Sequence, residues 1–268
     1  MRFIPAALAA ALLGAFPAQA EMARPWQIQM QDPASPTMEM IRGLNDTLNL
    51  IIVAITVLVL GLVAFILWRF RASRNPEPAR WSHNTALELA WTTLPVLILV
   101  AIAFPSFRLL YFMDRAQEAD MTIKVTGHQW YWSYEYPDHG VSFDANMIQD
   151  ADLKPGQPRM LATDNHVVVP VGASVRLLMT ADDVIHSWAV PALGVKTDNV
   201  PGRLNETWFK PLRAGVWYGM CSELCGVNHA FMPITVEAVP PDQFQAWTER
   251  MKAEAAGGTA LARAEEGQ

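Results

Sequence analysis

The sequence predicts a membrane-anchored protein in which a hairpin of two transmembrane helices is followed by an all-β domain outside the membrane. Three observations lead to this prediction. Two uncharged apolar runs are long enough to cross a bilayer, and the segment between them is basic. The chain after them changes to short stretches rich in β-branched and aromatic residues, separated by Gly, Pro, Asp and Asn. We expect a β-sandwich or Greek-key barrel in that part.

The chain begins with a predicted signal peptide, residues 1–20. Arg2 precedes an apolar run that ends at Pro17, and Ala18-Gln19-Ala20 has the small-x-small pattern of a signal peptidase site. The apolar run is too short for a retained membrane helix. Cleavage leaves residues 21–44 as an N-terminal segment outside the membrane.

Residues 45–110 form the predicted transmembrane hairpin. Leu50 to Trp68 and Leu89 to Phe107 are each nineteen residues without a charge, close to the roughly 20 that a membrane helix needs. A buried hairpin of a soluble protein would not need uncharged runs of this length on both arms. Pro95 and Pro105 are compatible with the second span, because helices in bilayers tolerate proline. The spans are expected to contact lipid.

The loop between the spans, residues 69–88, sets the orientation. It carries four arginines and two glutamates: Arg69, Arg71, Arg74, Arg80, Glu77 and Glu88. This basic excess assigns the loop to the cytoplasm, so both ends of the hairpin face outward. Residues 111–268 have 12 Lys and Arg against 20 Asp and Glu, a net charge of −8. An acidic outward domain attracts basic partners, and we expect no nucleic-acid partner.

The outward domain is predicted to comprise residues 111–255. Predicted strands are Met121 to Thr126, Gln129 to Tyr136, Arg159 to Ala162, His166 to Val169, Ser174 to Thr180, Thr207 to Lys210, Gly215 to Tyr218 and Ile234 to Val239. A helix from Asp242 to about Ala255 follows, with Asp242 as its N-cap. Residues 256–268, rich in Gly, Ala and Glu, are expected to form a disordered tail.

A cluster of soft metal ligands lies between the last two predicted strands. Cys221, Cys225, His229 and Met232 fall within twelve residues, and His186 follows an earlier strand and must converge from another loop. Thiolate, imidazole and thioether together favour copper. Two cysteines and two histidines could also hold zinc, but the methionine argues against that. A disulfide between the cysteines would close a very short loop and stabilise little. The second cysteine supplies enough ligands for two metals bridged by two sulfurs.

Three segments together resemble the cytochrome c oxidase subunit 2 family: Gly127 to Tyr136 (GHQWYWSYEY), His186 to Pro191 (HSWAVP) and Cys221 to Met232. The resemblance covers the chain from about Asn45 to Glu249. It implies a cupredoxin-like fold for the outward domain, the binuclear copper centre called CuA, and a location in the bacterial inner membrane with the β domain in the periplasm. Implied partners are the catalytic subunit 1, which holds the haem, and subunit 3.

The resemblance also implies roles for single residues. Cys221 and Cys225 would bridge both coppers, His186 and Met232 would complete one, and His229 and the backbone carbonyl of Glu223 would complete the other. The Glu223 side chain would bind magnesium at the contact with the catalytic subunit, as suits a hard carboxylate.

Further implied roles concern electron and proton transfer. Trp130 would be the surface residue through which an electron enters from cytochrome c, whereas the other aromatic residues of that run are expected in the core. Candidate acids of the docking patch are Glu135, Asp138, Asp182 and Asp183. Glu88, within Leu87-Glu88-Leu89-Ala90-Trp91-Thr92, would lie at the cytoplasmic mouth of a proton pathway.

The predicted function is therefore that of the electron-accepting subunit of a proton-translocating terminal oxidase. Its spans contain no haem ligand set, so oxygen reduction belongs to the complex. An alternative is a membrane-anchored copper-delivery chaperone, but such proteins place their histidine far from the cysteine pair. A quinol oxidase subunit shares the hairpin and the β domain but lacks the copper ligands.

Overall fold

The structure is a computed structural model that describes residues 20–114 and 118–266. The predicted signal peptide, apart from its last residue, lies outside these ranges, as do the last two residues of the predicted tail. The chain divides into two compact units. One contains the two apolar helices, residues 37–115, and the other contains the β domain together with the N-terminal segment.

The helical unit consists of α1 (Pro36–Arg69) and α2 (Thr85–Asp114). Each contains one of the two predicted apolar runs and is long and apolar enough to cross a membrane. α1 begins well before the predicted residue 45, with proline in the first turn, where its missing N–H costs nothing. Asn84 caps α2, because its side-chain oxygen accepts a hydrogen bond from the Leu87 N–H at 3.1 Å.

The β unit contains eleven strands within the described residues. They are β1 (Ala20–Glu21), β2 (Met121–His128), β3 (Tyr131–Tyr136), β4 (Val141–Ala145), β5 (Val167–Pro170), β6 (Val175–Ala181), β7 (His186–Val190), β8 (Val195–Asn199), β9 (Asn205–Phe209), β10 (Gly215–Cys221) and β11 (Pro233–Val239). The first sheet has the order β5-β11-β10-β7-β8, with β1 beside β10, and the second has the order β4-β3-β2-β6-β9. Three pairs are parallel: β1 with β10, β5 with β11, and β2 with β6.

Large aromatic side chains fill the core of this β unit. Trp132, Trp188 and Tyr136 are fully buried and Tyr134 nearly so. The Trp188 indole donates to the Tyr134 hydroxyl at 3.1 Å, and the Tyr136 hydroxyl donates to the Val168 carbonyl at 3.0 Å. Both bonds join residues of different sheets, so the polar ends of these rings are satisfied inside the core. The predicted fold class, two membrane helices followed by a cupredoxin-like β domain, is confirmed.

Several strands differ from the sequence prediction. β1, β4, β7 and β8 were not predicted, and the predicted strand at Arg159 to Ala162 is wrong, because that segment forms turns. β7 is buried at all five positions, so it shows no alternation of polar and apolar residues. Met160 has a φ of 63°, which is incompatible with an extended strand.

The end of the β unit also differs from expectation. α3 runs from Pro241 to Glu266. Asp242 therefore lies inside the first turn and is not the N-cap, because Pro241 already occupies a helical position that suits proline. The helix continues through Gly257 into the segment 256–268, where disorder was expected, since the alanine, glutamate and arginine residues there have high helix propensity.

The N-terminal segment is attached to the β unit just before α1. The Ala34 N–H donates to the Ala192 carbonyl at 2.8 Å, and the Ala34 carbonyl accepts from the Leu212 N–H at 2.9 Å. The Ser35 hydroxyl donates to the Leu193 carbonyl at 2.6 Å. Residues more than 150 positions apart in the sequence are thus joined by buried hydrogen bonds.

Candidate metal centre

The five predicted side-chain ligands come from the first sheet and the loop that follows one of its strands. Cys221 ends β10, Cys225 lies in the following loop, His229 begins a short 3-10 helix, and Met232 directly precedes β11. His186 is the first residue of β7, whereas the sequence placed it on a loop after a strand. β7 and β10 are antiparallel neighbours, so the sheet itself brings the histidine beside the cysteines.

The ligand atoms converge as expected. The two sulfurs, Cys221 Sγ and Cys225 Sγ, are 3.8 Å apart. Cys221 Sγ lies 3.9 Å from His186 Nδ1 and 3.3 Å from the Glu223 carbonyl oxygen. Cys225 Sγ lies 3.6 Å from His229 Nδ1 and 3.6 Å from the Met232 sulfur. Each sulfur therefore touches two further donors.

Four of the five side-chain ligands are buried although their loop lies at the surface, and His229 is half-buried. His186 and Met232 are almost completely inaccessible, and both cysteines are buried free thiols. Buried soft donors whose two cysteines form no disulfide are typical of a metal site.

In the absence of metal, the pKa values of the two thiols are shifted in opposite directions. Burial opposes ionisation of Cys221, but hydrogen bonds with His186, with the backbone at Glu223 and Ser187, and with His229 together outweigh burial and lower the thiol pKa to about 6. Burial and the neighbouring Cys221 thiolate raise the pKa of Cys225 to about 12. Two thiolates this close repel each other, so both ionise readily only when cations lie between them.

Gly127 at the end of β2 allows His186 to occupy its position. A β-carbon at residue 127 would lie 2.9 Å from two atoms of the His186 ring. The indole of Trp132 contacts the same ring edge-on at 5.9 Å between centroids, and its N–H donates to the Met232 carbonyl at 3.2 Å. The second sheet therefore supports ligands that the first sheet supplies.

The turn after β2 contacts the ligand loop from the other side. The Gln129 side-chain amide and the Trp130 indole N–H both donate to the Cys225 carbonyl, at 2.8 and 3.1 Å. Gly226, with a φ of 120°, adopts a backbone conformation that other residues rarely adopt. A β-carbon there would lie 3.0 Å from the Trp130 ring, so glycine lets the indole approach the loop.

The predicted docking acids occupy different environments. Glu135 and Asp182 are exposed and line an open groove of about 480 Å³ on the second sheet. Asp144, which sequence reasoning did not single out, lines the same groove. By contrast, Asp138 accepts a hydrogen bond from the Thr122 N–H at 2.8 Å, and Asp183 accepts one from His186 Nε2 at 2.9 Å.

Glu223 and Glu88 complete the set of predicted residues. Glu223 has an exposed side chain, while its carbonyl points toward Cys221. Glu88 lies in the first turn of α2 and is half-buried. The supporting residues Gly127, Gln129 and Gly226 were missed, because their role depends on contacts between the sheets. A glycine directly after Cys225 is the kind of local signal that could have indicated Gly226, because its backbone has a positive φ.

The family model described as "Cytochrome C oxidase subunit II, periplasmic domain" matches residues 121–239, and "Cytochrome C oxidase subunit II, transmembrane domain" matches residues 23–109. The "Probable cytochrome c oxidase subunit 2" of Rickettsia bellii is 52% identical over 235 residues, 87% of each chain. The "Cytochrome c oxidase subunit 2" of Oenothera berteroana is 48% identical over 238 residues, 86% of this chain and 92% of that protein. The solved periplasmic domain of subunit II of cytochrome oxidase (CoxB) of Bradyrhizobium japonicum is 52% identical, covers 52% of this chain and 99% of that chain, and has a TM-score of 0.49.

Proposed function

The chain belongs to the cytochrome c oxidase subunit II family, and on this premise we propose that it is the electron-accepting subunit of a haem-copper terminal oxidase. It takes single electrons from cytochrome c at a binuclear CuA centre and passes them to haem in the catalytic subunit. There oxygen is reduced to water, coupled to proton translocation. The β domain lies in the periplasm and the helices in the bacterial inner membrane.

The pairing of donors around the two sulfurs is the observation that supports this proposal most directly. In the assignment that we propose, His186 and Met232 complete one copper, and His229 and the Glu223 carbonyl complete the other. Cys221 Sγ touches one donor of each pair, His186 and the Glu223 carbonyl. Cys225 Sγ also touches one donor of each pair, His229 and Met232. Two sulfurs that were each to bridge both metals would need this arrangement.

The chemistry of the donor set fits copper. Soft sulfur and imidazole ligands suit it, and the buried thiol pair needs cations before both sulfurs ionise. When bound, the copper pair supplies a one-electron carrier whose unpaired electron is shared by both ions. The chain's own contribution is a rigid cage. β7, β10 and β11 fix the donors, so that little rearrangement accompanies electron transfer.

Trp130 is the residue at which we propose that electrons enter. Its ring is half-buried at the edge of the site, and its indole N–H donates directly to the carbonyl of Cys225. One hydrogen bond therefore separates a surface-accessible aromatic ring from the backbone of a bridging cysteine. The aromatic neighbour Trp132, by contrast, is completely buried.

The groove on the second sheet, which Lys124 also lines, carries acidic side chains that suit a basic partner. Glu135, Asp144 and Asp182 present carboxylates along one open surface. Acidic surfaces steer basic proteins such as a cytochrome c and accelerate their association at low salt.

On the ligand loop, Leu224 and Val227 are 77% and 82% exposed. Exposed apolar residues of this kind mark contacts with other proteins, here the catalytic subunit.

Three further roles belong to this proposal. The exposed Glu223 carboxylate binds magnesium at the contact with catalytic subunit 1, since Mg²⁺ prefers one or two carboxylates together with water. Glu88 at the start of α2 assists proton uptake from the cytoplasm. Subunit 3 completes the complex. A copper-delivery chaperone is not favoured, because family membership extends over both the helices and the β domain.

The proposal is tested by purifying the full chain in detergent and loading it with copper under reducing conditions. After one-electron oxidation of the loaded centre with a mild oxidant such as ferricyanide, we expect two coppers per chain, a purple colour and a seven-line hyperfine pattern in electron paramagnetic resonance, because one unpaired electron is shared by two copper nuclei. Cys221→Ser should abolish the pattern, whereas Met220→Leu, which alters a neighbouring sulfur outside the ligand set, should preserve it. One copper per chain, or zinc retained in its place, contradicts the binuclear assignment.

A further inference from the structure

Asn199, the last residue of β8, has a completely buried side-chain amide. In the antiparallel pair of β7 and β8 it lies directly opposite His186. Its Oδ1 accepts a hydrogen bond from the Trp188 N–H at 3.2 Å. Its Nδ2 donates to the Thr180 carbonyl at 3.0 Å and to the Val125 carbonyl at 3.3 Å. The amide thus has a backbone acceptor for each of its two N–H groups and a donor for its oxygen.

The three partners of this amide belong to both sheets. Trp188 lies on β7 of the first sheet, whereas Val125 and Thr180 lie on β2 and β6 of the second. The Asn199 side chain therefore bridges the gap between the sheets. Its orientation is fixed, because a backbone N–H can only donate and a carbonyl can only accept. A single buried asparagine that is held in this way can fix how two packed elements sit against each other, as it does in coiled coils.

The His186 imidazole occupies the space between the same two strands. His186 precedes Trp188 by two residues on β7, and Gly127 follows Val125 by two residues on β2. A β-carbon at residue 127 would lie 2.9 Å from two atoms of the imidazole, so the ring fills the space with no room to spare. The separation of β2 and β7 therefore decides where the ring lies, and the amide of Asn199 bridges these strands two residues away.

We propose that Asn199 is a positioning residue of the copper centre, which holds β2 and β7 at the separation that seats the His186 imidazole. Asn199 acts through the backbone of β7 and not through the imidazole itself. This inference rests on the proposed copper function. It adds to the site a residue of β8, a strand that supplies none of the proposed ligands.

Two substitutions remove the bridge in different ways. Asn199→Leu keeps a side chain of similar size, but it leaves two carbonyls and one N–H buried without the partner that the amide supplied. The sheets must then move apart or admit water, and either response changes the space beside His186. Asn199→Ala removes the same three hydrogen bonds without adding bulk, so it provides a folded variant if leucine prevents folding.

Asn205 on β9 offers a matched control. Its side-chain amide is half-buried and donates to the carbonyl of Asp198, the neighbour of Asn199 on β8, at 2.6 Å. Asn205→Leu therefore removes an amide hydrogen bond of the same strand, but one that joins β8 to β9 and not β7 to β2. It should reduce stability without moving the imidazole.

The test uses the full chain in detergent, loaded with copper and oxidised by one electron. Three quantities are measured: the urea midpoint of the metal-free chain, copper retained against a competing chelator, and the hyperfine pattern and reduction potential of the copper centre. Asn199→Leu and Asn199→Ala should lower copper affinity about tenfold and change both the hyperfine splitting and the potential. Asn205→Leu should lower only the urea midpoint.

The other outcomes overturn the inference. If the variants at Asn199 lose stability but keep the wild-type copper affinity, hyperfine pattern and potential, Asn199 is a purely structural residue. If Asn205→Leu changes the copper centre as much as the variants at Asn199 do, the effect follows from lost stability and not from position. A wild-type chain that retains no copper pair would instead refute the proposed function, and with it the inference; an intact wild-type centre that is indifferent to Asn199 refutes the inference alone.

Discussion

Gly127→Ala tests whether the second sheet sets the position of His186, a proposed copper ligand. A β-carbon at residue 127 would lie 2.9 Å from two carbons of the His186 ring and 3.0 Å from its Cβ. β2 cannot retreat easily, because β3 and β6 are hydrogen-bonded on its two sides. The imidazole must therefore move.

The size of this movement follows from ordinary contact distances. Contacts of a β-carbon are normal from 3.4 Å upward, so the ring must move by about half an ångström, which is the tolerance within which a functional site keeps its geometry. Overpacking of this kind costs about 1–3 kcal/mol of unfolding free energy. We expect weaker copper binding and an altered visible spectrum in addition to this loss of stability.

Urea unfolding of the metal-free chain and spectroscopy of the copper-loaded chain measure the two effects separately. Gly140→Ala is the matched control. Gly140 has a φ of 62° but open space around it, so alanine there should cost about 1 kcal/mol through backbone strain and leave the copper spectrum unchanged. If Gly127→Ala loses stability but keeps the wild-type spectrum and affinity, contact with Gly127 does not position His186.

Three further predictions concern other contacts. Trp130→Phe removes the hydrogen bond to the Cys225 carbonyl and should slow electron uptake from cytochrome c severalfold in stopped-flow measurements, while the copper spectrum stays intact. Tyr131→Phe, the control, should leave the rate unchanged. Equal rates in the two variants would exclude electron entry through Trp130. Tyr136→Phe leaves the buried Val168 carbonyl without its donor and should lower the unfolding free energy by about 1 kcal/mol, and an unchanged urea midpoint would contradict this. The hydrogen bond from His166 lowers the pKa of Glu237 below its ordinary value. This pair therefore stabilises the native state at neutral pH, and its contribution to the unfolding free energy disappears as the pH falls below about 4. Glu237→Gln should therefore flatten the decline of stability in acid, measured as thermal midpoint against pH, and a parallel decline in both proteins would refute it.

The sequence was sufficient for the features that depend on local pattern. Uncharged runs of nineteen residues predicted both membrane helices, and the spacing from Cys221 to Met232 predicted the ligand cluster between two strands. β7 escaped prediction because a strand buried on both faces has no alternation. The same strand carries His186, so the sequence identified the ligand but not the element that positions it.

Contacts between the sheets lay beyond prediction for a different reason. Asp183, Gly127 and Gln129 look like ordinary loop or strand residues, and their importance depends on which residue of the other sheet lies opposite. An aspartate three residues before a ligand histidine can point outward to a partner protein or inward to the ring. Only the backbone path from β6 to β7 decides between the two.

The distribution of the centre over two sheets has a consequence for the stability of the whole β unit. The ligands come from the first sheet and its loop, while Gly127 contacts His186 from the second sheet. Gln129 and Asp183 contact the ligands from the segments that follow β2 and β6 of that sheet. A metal that binds only when both sheets are folded adds its binding free energy to the free energy of folding. Copper should therefore raise the resistance of the whole β unit to heat and protease. Metal-free chains should be degraded faster than copper-loaded chains.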